Sequence, residues 1–227
     1  LAYTLVDHND DFVIVNKHPG ITVQRDGDSP GLLELAAAAL GYPKLYPVHR
    51  LDKATSGLVI MAITEEANRL LSGMFAKHLV QKHYLAISDH KPKKKQGAIS
   101  GDMEKSRRGS WKLLKTHKNP ALTQFFSLSL LPGKRIFLLR PKTGKTHQLR
   151  VALKSIGAPI LGDIRYGSAG ELEDRMYLHA WQLAFEWRNE RLSYRSPPES
   201  GLLFAGEGYE LALSQWQNPE ELSWPKR

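Results

Sequence analysis

The sequence has no cysteine, which excludes disulfide scaffolds, thiol nucleophiles, Cys-ligated zinc and iron–sulfur clusters, and accords with a reducing cytosol. Long apolar runs are also missing. Leu58 to Ile63 is typical of those present, far short of the roughly 20 residues that span a bilayer. No charged-then-apolar signal segment opens the chain, so no membrane association is expected and a cytoplasmic protein is. The first residue is Leu1 rather than Met, so a few residues are expected to precede it. Acidic residues are in the minority, 23 Asp and Glu against 32 Lys and Arg, for a formal charge of +9. What is present, 227 residues of which 41% are hydrophobic, is ample for a core and makes disorder a poor reading.

The charge is concentrated. Residues 91–118 carry ten Lys or Arg and only Asp102 and Glu104 as acids. A positive patch of this kind serves encounter with a polyanion, because each cation that neutralises a phosphate releases counterions. This segment, with Lys93, Lys94 and Lys95 in it, is the candidate for nucleic-acid capture; for the run Lys91 to Lys95 a solvated, mobile connection is the competing reading.

Several absences narrow the chemistry further. No His-Glu-x-x-His occurs, and His78, His83 and His90 are spaced too widely to share a helical turn, so no metal site is expected. Gly-x-Ser-x-Gly and Gly-x-Gly-x-x-Gly are missing too, which disfavours serine hydrolases and dinucleotide enzymes. Gly144-Lys145-Thr146 invites a phosphate-loop reading, but the required glycine five residues earlier is Leu139.

Apolar patterning and turn chemistry outline the elements. Phe12 to Val15 reads as a buried strand closed by Pro19-Gly20, and Leu32 to Leu40 as a helix ended by Gly41. Tyr46 to Asp52 and Leu58 to Ile63 read as strands around a Thr-Ser-Gly turn. Thr64 caps a helix whose Ala67, Leu70, Leu71, Met74, Phe75 and Leu79 share one face. His83 to Ser88, and Phe125 to Leu130 with Arg135 to Leu139 around Pro132-Gly133, are further strands. Thr146 is expected to cap a helix ended by Gly157, and Tyr177 to Trp187 and Tyr209 to Leu213 to be late strands. Short links between neighbouring strands leave no room for crossover helices, which predicts an α+β fold with much antiparallel pairing.

Two constellations can carry chemistry. In His49-Arg50-Leu51-Asp52-Lys53-Ala54-Thr55-Ser56-Gly57, an extended Val48 to Asp52 places Arg50 and Asp52 on one face. A carboxylate at a strand end among cations can act as nucleophile or base, or can simply close the turn. In Arg140 to Arg150, a polar loop leads into a helix start with His147 and Arg150 on one face, suited to a phosphate or carboxylate.

Together the ordered segments resemble the RluA family of RNA pseudouridine synthases. Val15-Asn16-Lys17 with Pro19-Gly20 is similar to the family's opening motif, and His49 to Gly57 to its catalytic motif. Lys82-His83-Tyr84-Leu85-Ala86 resembles the segment supplying a tyrosine, and Thr143 to Arg150 the Thr-Gly-Arg-Thr-His-Gln-Leu-Arg motif. Gly162-Asp163 with Tyr166-Gly167, then Leu178-His179-Ala180, complete an order spanning about residues 10–190. Departures are Lys145 in place of Arg, His18 before Pro19, and Ala152 where His is frequent.

The resemblance implies one catalytic domain over residues 1–227, without a separate N-terminal S4-like module. Its sheet would be mixed, largely antiparallel and bent, with flanking helices and loops around a central cleft. It implies isomerisation of uridine to pseudouridine in ribosomal or transfer RNA, with no cofactor, no metal and no obligate protein partner. Asp52 would be the essential carboxylate, Arg150 its partner, and Tyr84 a ring stacked on the uracil. His49, Arg50, Thr55, Lys82, Thr143, Lys145, His147, Gln148 and Leu149 would contact substrate, with Leu178 near the base. The rival is a non-catalytic RNA-binding or ribosome-assembly factor on the same scaffold. An unrelated glycosidase would need a second acid near Asp52, for which Asp163 is the candidate.

Overall fold

The computed structural model describes residues 2–167 and 173–226. In chain order its elements are β1 (Tyr3–His8), β2 (Phe12–Lys17), α1 (Leu32–Leu40), β3 (Tyr46–Pro47), β4 (Ser56–Ala62), α2 (Glu65–Ala76) and β5 (Gln81–Ser88). Then come β6 (Gln96–Gly101), β7 (Met103–Lys105), β8 (Trp111–Leu113), β9 (Ala121–Leu131), β10 (Lys134–Pro141) and α3 (Gln148–Ser155). The last are β11 (Leu178–Trp187), β12 (Glu190–Arg195) and α4 (Glu207–Gln215). The chain forms two compact units, Leu1–Lys82 with His179–Glu199, and His83–Leu178 with Ser200–Arg227. The α+β expectation is met: antiparallel pairing dominates, and β4 with β11 is parallel.

In the first unit, β2 and β4 are buried along their whole length, as their uninterrupted apolar runs require when both faces are covered. They pair antiparallel from Phe12 opposite Ala62 to Lys17 opposite Gly57. β1 lies along β2, and β11 runs parallel to β4 at His179–Ser56 and Ala180–Gly57. That last contact demands glycine: Gly57 has φ +118°, and a Cβ there would sit 2.3 Å from the Ala180 carbonyl oxygen. The core beside it joins Phe12, Ile14, Leu58, Ile60, Leu183 and Phe185 to Ala67 and Leu71 of α2.

Two local helix signals hold in this unit. Gly41 ends α1 in the left-handed region, and Thr64 Oγ1 accepts the Ala67 amide at 3.1 Å to cap α2. The buried face of α2 is narrower than its spacing suggests, since Leu70 is exposed and α2 stops before the exposed Leu79. The expected strand over Tyr46 to Asp52 shrinks to Tyr46–Pro47. Residues 48–55 are an irregular loop, so the alternating-face argument for Arg50 and Asp52 does not apply.

In the second unit, β5, β10, β9 and β6 form an antiparallel run, with β9 and β10 joined by a turn at Gly133, φ +76°. The basic segment is folded in part: it supplies β6 and the separate β7–β8 hairpin, while the Lys93, Lys94, Lys95 run before β6 is exposed and outside any helix or strand. α3 starts at His147, a left-handed cap residue with φ +54°, and not at Thr146. Tyr209 to Leu213, expected as a strand, lies in α4. Its buried residues Tyr209 and Ala212 are three apart, helical spacing that so short a segment does not separate from a strand. Near the chain's end Trp224 stacks on His83, lies 4.4 Å from the Arg140 guanidinium and donates Nε1–H to the Pro219 carbonyl.

Candidate active site

Asp52 sits in a turn whose backbone is fixed from two sides. Its carbonyl accepts the Thr55 amide at 3.0 Å, and the next carbonyl, that of Lys53, accepts the Gly20 amide at 2.8 Å. Lys17, fully buried at the end of β2, donates from Nζ to the carbonyls of His18 (3.0 Å), Ile21 (2.8 Å) and Lys53 (3.2 Å). A buried ammonium is tolerated because its donors meet oxygen dipoles. The effect is to tie the loop after β2 to the Asp52 turn. Asp52 itself is a half-exposed residue and Arg50 an exposed one, whereas Thr55 is buried.

His49 anchors the same loop. Its Nε2 accepts the Ile60 amide at 3.1 Å, which places the neutral ring's proton on Nδ1, and the ring stacks on Phe75 at 4.3 Å between centroids. Burial, reinforced by the Lys82 charge, pushes its pKa down to about 3. Lys82 lies 5.7 Å from the Phe75 ring centre, and burial lowers its own pKa. His49 therefore works as a neutral strut between loop, β4 and α2.

His179 has a similar task. Its Nε2 faces the Ser196 carbonyl at 2.8 Å, so this nitrogen is the donor, and Nδ1 accepts from Ser56 Oγ at 2.8 Å. This Ser–His pair is buried and ends on a carbonyl, which fits a clamp between β4 and β11 rather than a nucleophile.

In the second unit, Tyr84 is a half-buried residue of β5 opposite Leu139. Arg150, in the first turn of α3, is buried and forked onto Asp163, Nε to Oδ2 at 2.8 Å and Nη2 to Oδ1 at 2.9 Å. Asp163 also accepts the amides of Arg165 (2.9 Å) and Tyr166 (3.1 Å). Burial alone would raise its pKa, but the Arg150 bonds and charge and the two amides outweigh burial and hold it below the ordinary carboxylate value. The fork takes one edge of the Arg150 guanidinium. Its face lies 5.0 Å from the Tyr166 ring centre, and Tyr166 Oη bonds His147 Nδ1 at 2.8 Å while accepting the Trp111 amide at 2.9 Å.

Some residues expected at the substrate are scaffold instead. Gln148 is buried: its oxygen accepts Thr143 Oγ1–H and the Lys145 amide, and its nitrogen donates to Leu122 O and Thr123 Oγ1. Four bonds exhaust the amide, so Gln148 and Thr143 brace the loop before α3. Leu149 and Leu178 are core residues. Lys145 and His147 are half-buried at the same helix start, and Lys93, Lys94 and Lys95 form an exposed run before β6. Sequence reasoning gave no role to Lys17 or His179, though both lie in quoted motifs. Asp163 enters the sequence reading as a possible second acid and in the Gly162-Asp163 motif; the structure shows its carboxylate engaged by Arg150 and two amides.

Among the described residues no group of three or more His, Asp or Glu is arranged to hold a metal ion, and no helix is long and apolar enough to cross a membrane.

Comparison with known proteins gives this geometry its class. Residues 11–155 match the model of the RNA pseudouridylate synthase family. An uncharacterised RNA pseudouridine synthase of Haemophilus influenzae is 52% identical over 197 residues, covering 87% of this chain and 88% of that protein. The dual-specificity RNA pseudouridine synthase RluA of Pasteurella multocida is 34% identical, covering 86% and 92%. The solved structure of human RNA pseudouridylate synthase domain containing 1 superposes with a TM-score of 0.72 at 26% identity, covering 86% and 83%. The chain belongs to the RNA pseudouridylate synthase family, with the RluA type that its motifs resemble. It is an isomerase acting on RNA.

Proposed function

We propose that this chain isomerises specific uridines of structured ribosomal or transfer RNA in the cytoplasm, with Asp52 as the essential carboxylate and without metal or cofactor. The observation that carries the reading is the Asp52 turn, whose backbone is held by Lys17, Gly20 and Thr55 while Asp52 itself is a half-exposed residue. Such pre-organisation is what a group acting on a bound sugar or base requires.

In the isomerisation the N1–C1′ bond breaks, the uracil turns, and C5 bonds to C1′; the C5 proton passes to solvent and N1 takes up a proton. Asp52 serves at the breaking bond. Arg150, gripped by Asp163, orients the acid, and Tyr84 stacks on the uracil. Arg50, exposed beside Asp52, reaches the RNA backbone or fills the vacated stack. Extruding a base from a helix costs a few kcal/mol, which favours uridines in loops over those in a perfect duplex.

The test is tritium release from RNA labelled at uridine C5, using unmodified total RNA from a strain lacking this gene, with Asp52→Asn in parallel. Release by the wild type and not by the variant is expected. No release by either, with RNA still bound, would overturn the enzymatic reading in favour of a binding factor.

A further inference from the structure

A groove of about 460 Å³ opens between the β7–β8 hairpin and α3, within the second unit and among residues given no catalytic role. Arg107 and Lys112 enter it from the hairpin, Lys154 from α3 and Arg165 from the loop that carries Asp163. All four cations are exposed, and none of the described lining residues is a carboxylate. Trp111, half-buried, and Tyr166, buried, supply two aromatic rings to the same groove.

The hairpin is fastened to the body and not free to swing. Tyr166 Oη accepts the Trp111 amide, and Arg165 Nη1 donates to the Arg108 carbonyl at 2.6 Å. The chain reverses through Arg108 and Gly109, both at positive φ, closed by the Ser106 amide on Ser110 O at 2.8 Å. Lys112 pairs with Glu104 at 2.7 Å, but both are more than half exposed, and such a pair contributes little and yields to a phosphate.

We propose that this groove is a second nucleotide site, holding one nucleotide of the RNA outside the pocket for the reacting uridine. The proposal rests on the RNA-modifying reading above. The phosphate would meet Arg107, Lys112, Lys154 and Arg165, and the base would stack on Trp111. The volume falls within the ~300–1,000 Å³ of small-ligand sites, room for a nucleotide and too little for a duplex. Cations beside an aromatic face are the arrangement that holds single-stranded RNA with little sequence preference. Tyr166, which lines the groove, also packs on Arg150, so an occupied groove bears on Arg150.

The probe is a ten-nucleotide oligouridylate carrying one 4-thiouridine, photo-crosslinked to the full chain and mapped by peptide mass spectrometry. Crosslinks are expected on the peptides bearing Trp111 or Tyr166, and they should persist in Asp52→Asn. Trp111→Ala should weaken binding about tenfold, with Trp111→Phe within about twofold of wild type. Because a tryptophan change can disturb the hairpin, Lys112→Gln with Lys154→Gln, both exposed, provides a second reading. It should make the slope of log affinity against log salt shallower by up to ~0.7, the share of the one single-strand phosphate the groove holds. Crosslinks confined to other peptides, or an unchanged salt slope, would overturn the groove. Tritium release with no groove crosslink sinks this site alone, whereas a groove crosslink without tritium release sinks the activity and leaves the site standing.

Discussion

Arg150 and Asp163 meet through two parallel hydrogen bonds, with the carboxylate fully enclosed and also receiving two backbone amides. A fork of this kind fixes the plane of the guanidinium as well as its charge, so the first helical turn of α3 presents one orientation of Arg150.

Asp163→Asn should therefore impair turnover more than binding. Removing one partner of a buried pair costs about 3–5 kcal/mol of stability, and kcat for tritium release should fall at least tenfold with a smaller change in KM. Because its folded pKa lies below the ordinary 3.8, the wild-type contribution is complete above that value and is lost as pH falls through the depressed one. The gap in melting temperature between wild type and variant should be full at pH 5 and narrow as pH is taken below 3.8. A variant with full kcat would remove Arg150 positioning from the mechanism.

Lys17→Met keeps the bulk of the side chain and deletes the three donors to His18, Ile21 and Lys53. Each hydrogen bond from a charged group is worth about 1.5–3 kcal/mol, so a loss of about 3 kcal/mol or more in chemical denaturation is expected. Activity should fall further than stability explains, since the tether ends beside Asp52. Equal kcat for the folded fraction would show that the tether has no part in the chemistry.

His49 gives a pH dependence of stability with a definite sign. Its folded pKa of about 3 lies below the ordinary 6.5, so its contribution is intact above pH 6.5. As pH falls from 6.5 toward 3, the unfolded chain takes up a proton that the folded ring refuses, and stability declines. His49→Gln, which cannot titrate, should show a flatter fall in thermal midpoint between pH 7 and pH 5. Parallel curves for the two proteins would contradict the neutral-strut assignment.

Neutralising Lys93, Lys94 and Lys95 together to Gln should weaken RNA binding and flatten its salt dependence, by ~0.7–0.9 for each phosphate left without its cation. Turnover at saturating RNA should persist. Filter binding across a salt series checks this, and unchanged affinity at low salt would dismiss the run as an RNA-binding element.

Sequence signals that act over a few residues were legible. The Thr64 cap, the Gly41 stop, the Pro132-Gly133 turn and the buried run of β2 each depend on neighbouring side chains alone. Failures came where long-range contacts decide. Tyr209 to Leu213 is as compatible with a strand as with a helix until β9 is present, where a Cβ on Gly208 would stand 1.9 Å from Leu130 O. Val48 to Asp52 lacks strand geometry because His49 takes the Ile60 amide with its side chain. The order of motifs marked Asp52, Tyr84 and Arg150, but could not reveal that Gln148 and Thr143 are spent on each other and on β9, nor that Asp163 belongs to Arg150.

β4 finds its parallel neighbour β11 only after all of residues 83–178. During synthesis at ~5–20 residues per second, roughly ten seconds separate the emergence of the two strands from the ribosome. The Asp52 half must wait through that interval with the Ser56–Gly57 end of β4 lacking its second neighbour, since β3 covers only the Met61–Ala62 end, while the inserted half already has most of its sheet in hand. Assembly is thus expected to begin in the middle of the chain and finish at its flanks, and a pulse of protease on stalled nascent chains would cut first around Asp52.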